Sequence, residues 1–267
     1  MSIISNKKIF YINSRYRLDG TDSQFSYEID LPEDNKYNKV CILEASIPKS
    51  YYLVEELRNT FDILENDIFL ETIEVPPGNY TRRSFQSVLD GLLPAGYLVS
   101  YPDTSTSADT GKFSFVSIHA DSSFEFGNNH IPEIMGFDRS SSNYFNAGFL
   151  ESVNVLNFQR ETTLFIHSNA VAGHTNNVLL DIFSNANPDF STIVWRVSDI
   201  EAHSKPLSTN TSKIFDFKLL NDDQQSIDLN GQSLLITLMV YESHTVYDVL
   251  RDSIQRRILR ELINRKR

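Results

Sequence analysis

Six histidines carry most of the scope for metal or acid–base chemistry: His119, His130, His167, His174, His203 and His244. None stands four residues from another and no His-Glu-x-x-His occurs, so no helical face offers two ligands at the spacing a metal needs. Cys41 is the single cysteine, which removes an intrachain disulfide and any Cys-based zinc site. Set in an apolar run, it reads as a small core residue. Glu55-Glu56 and Glu71/Glu74 are carboxylate pairs of the type glycoside hydrolysis uses, but that reaction needs two carboxyls facing across a cleft. On strand edges such residues more often solubilise and block edge pairing.

Asp222, Asp223 and Asp228 lie in the turn-like stretch 220–228, which lacks the glycine and terminal glutamate of a calcium loop and reads as a solvated turn. No Gly-x-Ser-x-Gly elbow is present. Pro76-Pro77-Gly78-Asn79 is a turn, and the helix expected after it lacks the Lys-Ser/Thr of a phosphate loop. Trp195, the sole tryptophan, is expected in or at the rim of a sheet, with a sugar-stacking platform as the alternative. The expectation is a protein that is not an enzyme, with no metal and no cofactor.

Charge is uneven. The 267 residues carry a net −11, which argues against a nucleic-acid-binding body. Residues 244–267 hold seven Arg/Lys against three Asp/Glu and are +4, leaving −15 for the rest. The longest apolar run, 233–241, falls far short of the roughly 20 residues a bilayer span needs. Asn6-Lys7-Lys8 interrupts any apolar leader near Met1, so the expectation is a soluble chain made in a cytosol-like compartment.

The elements that must position these residues are mostly short strands separated by Asn/Asp/Ser/Gly/Pro clusters. Strands are expected at 8–13, 24–31, 39–47, 59–64, 68–75, 97–101, 112–119, 123–126, 152–158, 163–167, 177–183, 191–197, 213–219 and 234–242. The run 39–47 is apolar enough for a strand covered on both faces. In 213–219, Phe215, Phe217 and Leu219 form the inner face. In 112–119, Phe113 and Phe115, and less cleanly Val116 and Ile118, mark the buried one.

Two helices break the pattern. Residues 81–93 carry Phe85, Val88, Leu89 and Leu92 at helical spacing, behind a capping Thr81 and ahead of Pro94. Residues 245–264 repeat Tyr247, Leu250, Ile254, Ile258 and Leu262 at three and four residues. The fold class expected is mainly β: a jelly-roll-type β-sandwich with a small α/β insertion and a C-terminal amphipathic helix. The domain reading is a body over 1–243, with an inserted or preceding module at about 59–137, and the basic helix over 244–267.

That helix has two readings. It packs on its own sandwich, or it docks on a partner through Tyr247, Leu250, Ile254, Arg256, Arg257, Ile258, Arg260, Leu262 and Arg265.

The order of turn and strand signatures resembles a known group. Phe10-Tyr11-Ile12-Asn13-Ser14-Arg15-Tyr16-Arg17 leads to Phe25-Ser26-Tyr27-Glu28-Ile29, then Glu44-Ala45-Ser46-Ile47-Pro48. Ile73-Glu74-Val75-Pro76-Pro77-Gly78-Asn79-Tyr80 precedes the first helix, Ile134-Met135-Gly136-Phe137 follows it, and Ile227-Asp228-Leu229-Asn230-Gly231 comes late. The succession is similar to the jelly-roll minor capsid and penton proteins of virophages, polinton-like viruses and large eukaryotic double-stranded DNA viruses.

The resemblance implies a viral structural protein of the virion capsid, synthesised in the host cytoplasm. Its implied partners are major capsid protein and other minor capsid proteins. A penton would form a pentamer, and the basic C-terminus would contact an inner membrane or the genome. The alternative is a carbohydrate- or receptor-binding jelly-roll spike module.

Overall fold

Alternation of apolar and polar residues over short spans dictates strands that bury one face. The computed structural model describes all residues except 1, 32–35, 57, 103–107, 120, 128–129, 139–142, 160–161, 173–176, 184–187, 209–212, 246–249, 252–253, 256 and 259–267.

Strands β1 (Ser2–Asn13), β2 (Asp19–Gly20), β3 (Gln24–Glu28) and β4 (Lys39–Pro48) open the chain. β5 (Thr60–Glu65) and β6 (Ile68–Glu74) lead to helix α1 (Arg82–Leu92). β7 (Tyr97–Ser100), β8 (Ser114–Ser117), β9 (Ser122–Glu125), α2 (Ile131–Met135), β10 (Asn143–Tyr144) and β11 (Phe149–Glu151) follow. The chain continues through β12 (Thr163–Ser168), β13 (Val178–Phe183), β14 (Thr192–Arg196), α3 (Ile200–His203), β15 (Lys205–Pro206), β16 (Ile214–Leu220) and β17 (Leu235–Thr245). The chain divides into two compact units, one of Met1–Tyr51 with Glu161–Arg267, the other Tyr52–Arg160.

The first unit is a sandwich of two antiparallel sheets. One runs β1-β17-β4-β14, with β15 beside β4; the other runs β13-β12-β16-β3-β2. The eight main strands pair first with last (β1 with β17), β3 with β16, β4 with β14, and β12 with β13. That nesting is a long hairpin wrapped across two sheets, the defining order of a jelly roll. The fold class expected from the sequence is therefore the one observed.

Its core joins Ile12, Ile42, Ile47, Phe215, Phe217 and Leu219 with their neighbours, and Phe25 stacks on Phe217 at 5.5 Å between ring centroids. The inner face Phe215–Phe217–Leu219 is as the alternation requires. β4 is covered on both sides: Val40 and Ile42 point into the sandwich, while Cys41 packs with Met239, Tyr241 and Ile200 on the other face. Trp195 packs at the rim of the core, edge-on to His203 at 5.4 Å.

The second unit, Tyr52–Arg160, is built from a four-stranded sheet β10-β9-β5-β6, a three-stranded sheet β11-β8-β7, and helices α1 and α2. Thr81 caps α1 reciprocally with Ser84, and Phe85 and Leu89 are buried from its inner face. The helix stops at Leu93, ahead of Pro94, as Pro requires. An aromatic cluster fills the centre: Phe124 meets Phe115 and Phe145 edge-to-face, each pair at 5.1 Å.

Two expectations fail here. Residues 152–158 form no ladder, because their backbone N–H groups are divided among separate segments. Ser152 donates to Phe113, Asn154 to Gly136 and Leu156 to Gly111. The strand partners in this region are instead Asn143–Tyr144 and Phe149–Glu151. Val116 and Ile118 are not on the buried face. β8 alternates strictly, so Phe113 and Phe115 go in and Val116 and Ile118 go out.

Candidate functional site

Several groups with chemical scope take part in local architecture. Arg58 donates to His130 Nε2 at 3.0 Å, so the other ring nitrogen is the donor facing Glu133 at 3.2 Å. His119 lies 3.4 Å from Glu65, and His244 lies 3.1 Å from Glu242. His174 is outside the described residues. Among the described residues, no three His, Cys, Asp or Glu side chains gather where a metal ion could be held. Burial pushes the Cys41 thiol above its usual value, which disfavours the thiolate a nucleophile needs.

Of the aspartates of 220–228, Asp222 makes a long-range contact and Asp228 a turn bond. Asp222 accepts from the Thr162 hydroxyl at 2.8 Å, and Asp228 accepts from the Asn230 N–H at 2.8 Å. Glu71 and Glu74 lie on β6, at the edge of its sheet, and are exposed.

Two clefts are worth chemistry. One of about 430 Å³ is lined by Arg17, Asp22, Ser23, Ser226 and Asp228. Its guanidinium is already committed to Asp22 at 2.7 Å, Gly20 O at 2.8 Å and Ser14 O at 3.0 Å. The other, also about 430 Å³, lies on the outer face of the β1-β17-β4-β14 sheet. Tyr11 and Tyr16 are exposed there, beside Asn13, Glu44, Ser46 and Thr237. The register places Tyr11 opposite Thr237, and Thr237 opposite Glu44, so an aromatic face and polar groups share one row.

The dominant surface features are apolar. Leu98 stands opposite Val116, and Val116 opposite Phe149, so one row crosses all three strands of the β11-β8-β7 sheet. With Ile118 next on the same face, the four side chains are 44–78% exposed. Gly96 lies beneath Ile118, where a Cβ would come within 2.8 Å of the isoleucine Cγ1. Soluble surfaces seldom present apolar residues contiguously without a partner to cover them. The alternation that reveals this row is visible in 97–101, but its continuation through Val116 and Phe149 depends on a register that is set by long-range pairing.

The second apolar feature is in the C-terminal segment. Residues 250–251, 254–255 and 257–258 have helical backbone. Leu250, Ile254 and Ile258, spaced by four, are 53–58% exposed, and Arg257 is exposed beside them. Of the candidate docking residues, Tyr247, Arg256, Arg260, Leu262 and Arg265 lie outside the described residues. Among the described residues, no helix is long and apolar enough to cross a membrane.

No protein-family model matches the chain, and no curated protein matches its sequence. Among solved structures, the crystal structure of the selenomethionine-labelled penton protein of mavirus is similar, with a TM-score of 0.44 at 13% identity. The similarity covers 89% of this chain and 100% of that one.

Proposed function

We propose that the chain is a viral structural protein, a minor capsid or penton subunit that contributes to an icosahedral shell by packing against major capsid protein. It works by surface burial, not catalysis. The observation that carries this reading is apolar surface left exposed among the described residues of a jelly-roll protein: the row Leu98–Val116–Phe149, and Leu250, Ile254 and Ile258. Burying such residues releases about 25 cal/mol per Å² of apolar area, which is the driving force of most protein association. The order of strand and turn signatures in the sequence supports the same reading. The partners are major capsid protein, other minor capsid proteins and further copies of the chain, and the location is the virion.

Removal of residues 246–267 tests it. β17 ends at Thr245, so both sheets of the sandwich keep all their strands. The shortened protein is expected to be depleted from assembled particles relative to the full chain. Incorporation at the full-chain level would refute the docking role of the helix.

A second reading has its own observation. Tyr11 and Tyr16, exposed beside Glu44, Asn13 and Ser46, suit a sugar ring stacked on an aromatic face with its hydroxyls bonded at the side. A glycan array separates the two. Binding that is lost in Tyr11→Ala would favour a carbohydrate-binding spike module, and an empty array would remove it.

A further inference from the structure

We infer that β6, the edge strand of the β10-β9-β5-β6 sheet, takes up an extended basic segment of a partner polypeptide as a further strand. Such pairing does not depend on the shell role proposed above, and it involves residues of Tyr52–Arg160 alone.

The backbone supplies the template. β5 and β6 form a tight hairpin whose two turn residues, Asn66 and Asp67, both have positive φ, at 52° and 60°. A turn of that kind matches the strand twist and fixes the register. The Val75 N–H donates to Asn59 O at 2.8 Å, so by alternation the backbone groups of Ile73 and Glu71 turn towards β5. Those of Thr72 and Glu74 turn away from it, along the outer side of the strand. Among the described residues, β5 is the only strand paired with β6. A row of outward N–H and C=O groups on a sheet edge is what strand addition uses.

The side chains select the occupant. Ile68, Phe69 and Leu70 are 71, 60 and 43% exposed at the hairpin tip. Leu70 is the extra residue of a bulge, because Ile63 stands opposite Glu71 and Leu64 opposite Phe69. Regular pairing is therefore confined to residues 71–74, with an apolar tip beside it.

Residues 59–81, which contain the hairpin, hold five Asp/Glu and no Lys/Arg. Glu71 shares a face with Ile63 and Ile73. Thr72 and Glu74 lie on the other face, where Thr72, Asp62 and Glu125 form a row across three strands. Acids thus flank the edge on both faces. They repel the β6 of a second copy, because like charges across a ladder destabilise it. An incoming strand with alternating Lys or Arg meets opposite charge instead.

Peptide binding to the full chain tests this. The probe is a short, end-blocked peptide alternating lysine and valine, labelled for fluorescence anisotropy. It is expected to bind about tenfold more tightly than a peptide alternating glutamate and valine. Methylation of alternate backbone nitrogens of the lysine peptide keeps its charge, removes its donors and is expected to cost about tenfold. Thr72→Pro removes one outward N–H of β6 and no charge, and is expected to cost the same with an unchanged circular dichroism spectrum. Thr72→Ala controls for the hydroxyl, which donates to Asp62 at 2.5 Å, and is expected to stay within about twofold. Glu71→Lys combined with Glu74→Lys, both at exposed positions, is expected to reverse the preference towards the glutamate peptide.

Equal binding of the two peptides, undiminished binding of the methylated one, or no binding would each overturn the inference. So would an unreversed preference in the double lysine variant, which locates the site even if Thr72→Pro does not fold. A chain that dimerises alone, and loses that dimer in Thr72→Pro, would make a second copy the occupant and would also overturn it.

Discussion

Val116 lies directly opposite Phe149 across β8 and β11, and both side chains face solvent. The next residue along β11, Leu150, points the other way into the aromatic cluster. Adjacent positions on one strand therefore divide the exposed face from the core. Phe149→Ser is expected to change unfolding free energy by no more than about 0.5 kcal/mol, the usual range for surface sites. Leu150→Ala is expected to cost about 2–5 kcal/mol. Denaturant titration of the two variants checks the contrast, and binding of a hydrophobic dye to the native protein should fall only for Phe149→Ser.

Thr81 and Ser84 hold the start of α1 by bonding each other's backbone N–H groups. Thr81→Ala leaves the Ser84 N–H to water and is expected to cost about 1 kcal/mol, whereas Thr81→Asn is expected to keep most of that stability. Thermal unfolding of both variants measures the difference.

Asp109 accepts a hydrogen bond from Tyr101, the largest influence on its carboxyl, and further contacts come from the Gly111 N–H and Arg82. Together they hold the carboxyl below its usual value of 3.8. A carboxylate whose folded value is depressed contributes stability above its unfolded value, and loses it as pH falls through the folded one. Asp109→Asn is therefore expected to unfold at a lower temperature than wild type at neutral pH. The gap should close below pH 3.8. Melting curves over pH test this, and a gap that persists into strong acid would contradict it.

Cys41 sits beneath α3 with Met239 and Tyr241, and burial raises its thiol. The native protein is expected to resist a thiol reagent at pH 8 and to react with one equivalent once unfolded. Rapid labelling of the folded chain would show that α3 opens readily.

Much of the architecture was legible in local pattern. Phe215, Phe217 and Leu219 alternate cleanly because β16 lies inside a sheet with one face on the core. The helix over Arg82–Leu92 announced itself through Thr81, its spaced apolar residues and Pro94. The continuous run Val40–Cys41–Ile42 signalled a strand covered on both faces, and α3 supplies the second cover.

Local pattern misleads where a distant partner decides. Val116 and Ile118 are as apolar as Phe113 and Phe115, so only the pairing of β8 with β7 and β11 shows which side is outward. Residues 152–158 look extended, but Gly136, at φ +78°, brings its carbonyl to Asn154 and diverts the segment from any ladder. The exposed apolar row is hidden for the same reason: Leu98, Val116 and Phe149 are far apart in sequence and become a row only through register.

If this jelly roll is a building block of a viral shell, it is present in assembled particles. The most direct measurement is the density map of purified particles, searched for the two-sheet sandwich with its inserted unit. The chain is expected at defined, repeated positions in the shell, with density on the Leu98–Val116–Phe149 face. Particles that are complete without the chain would contradict it.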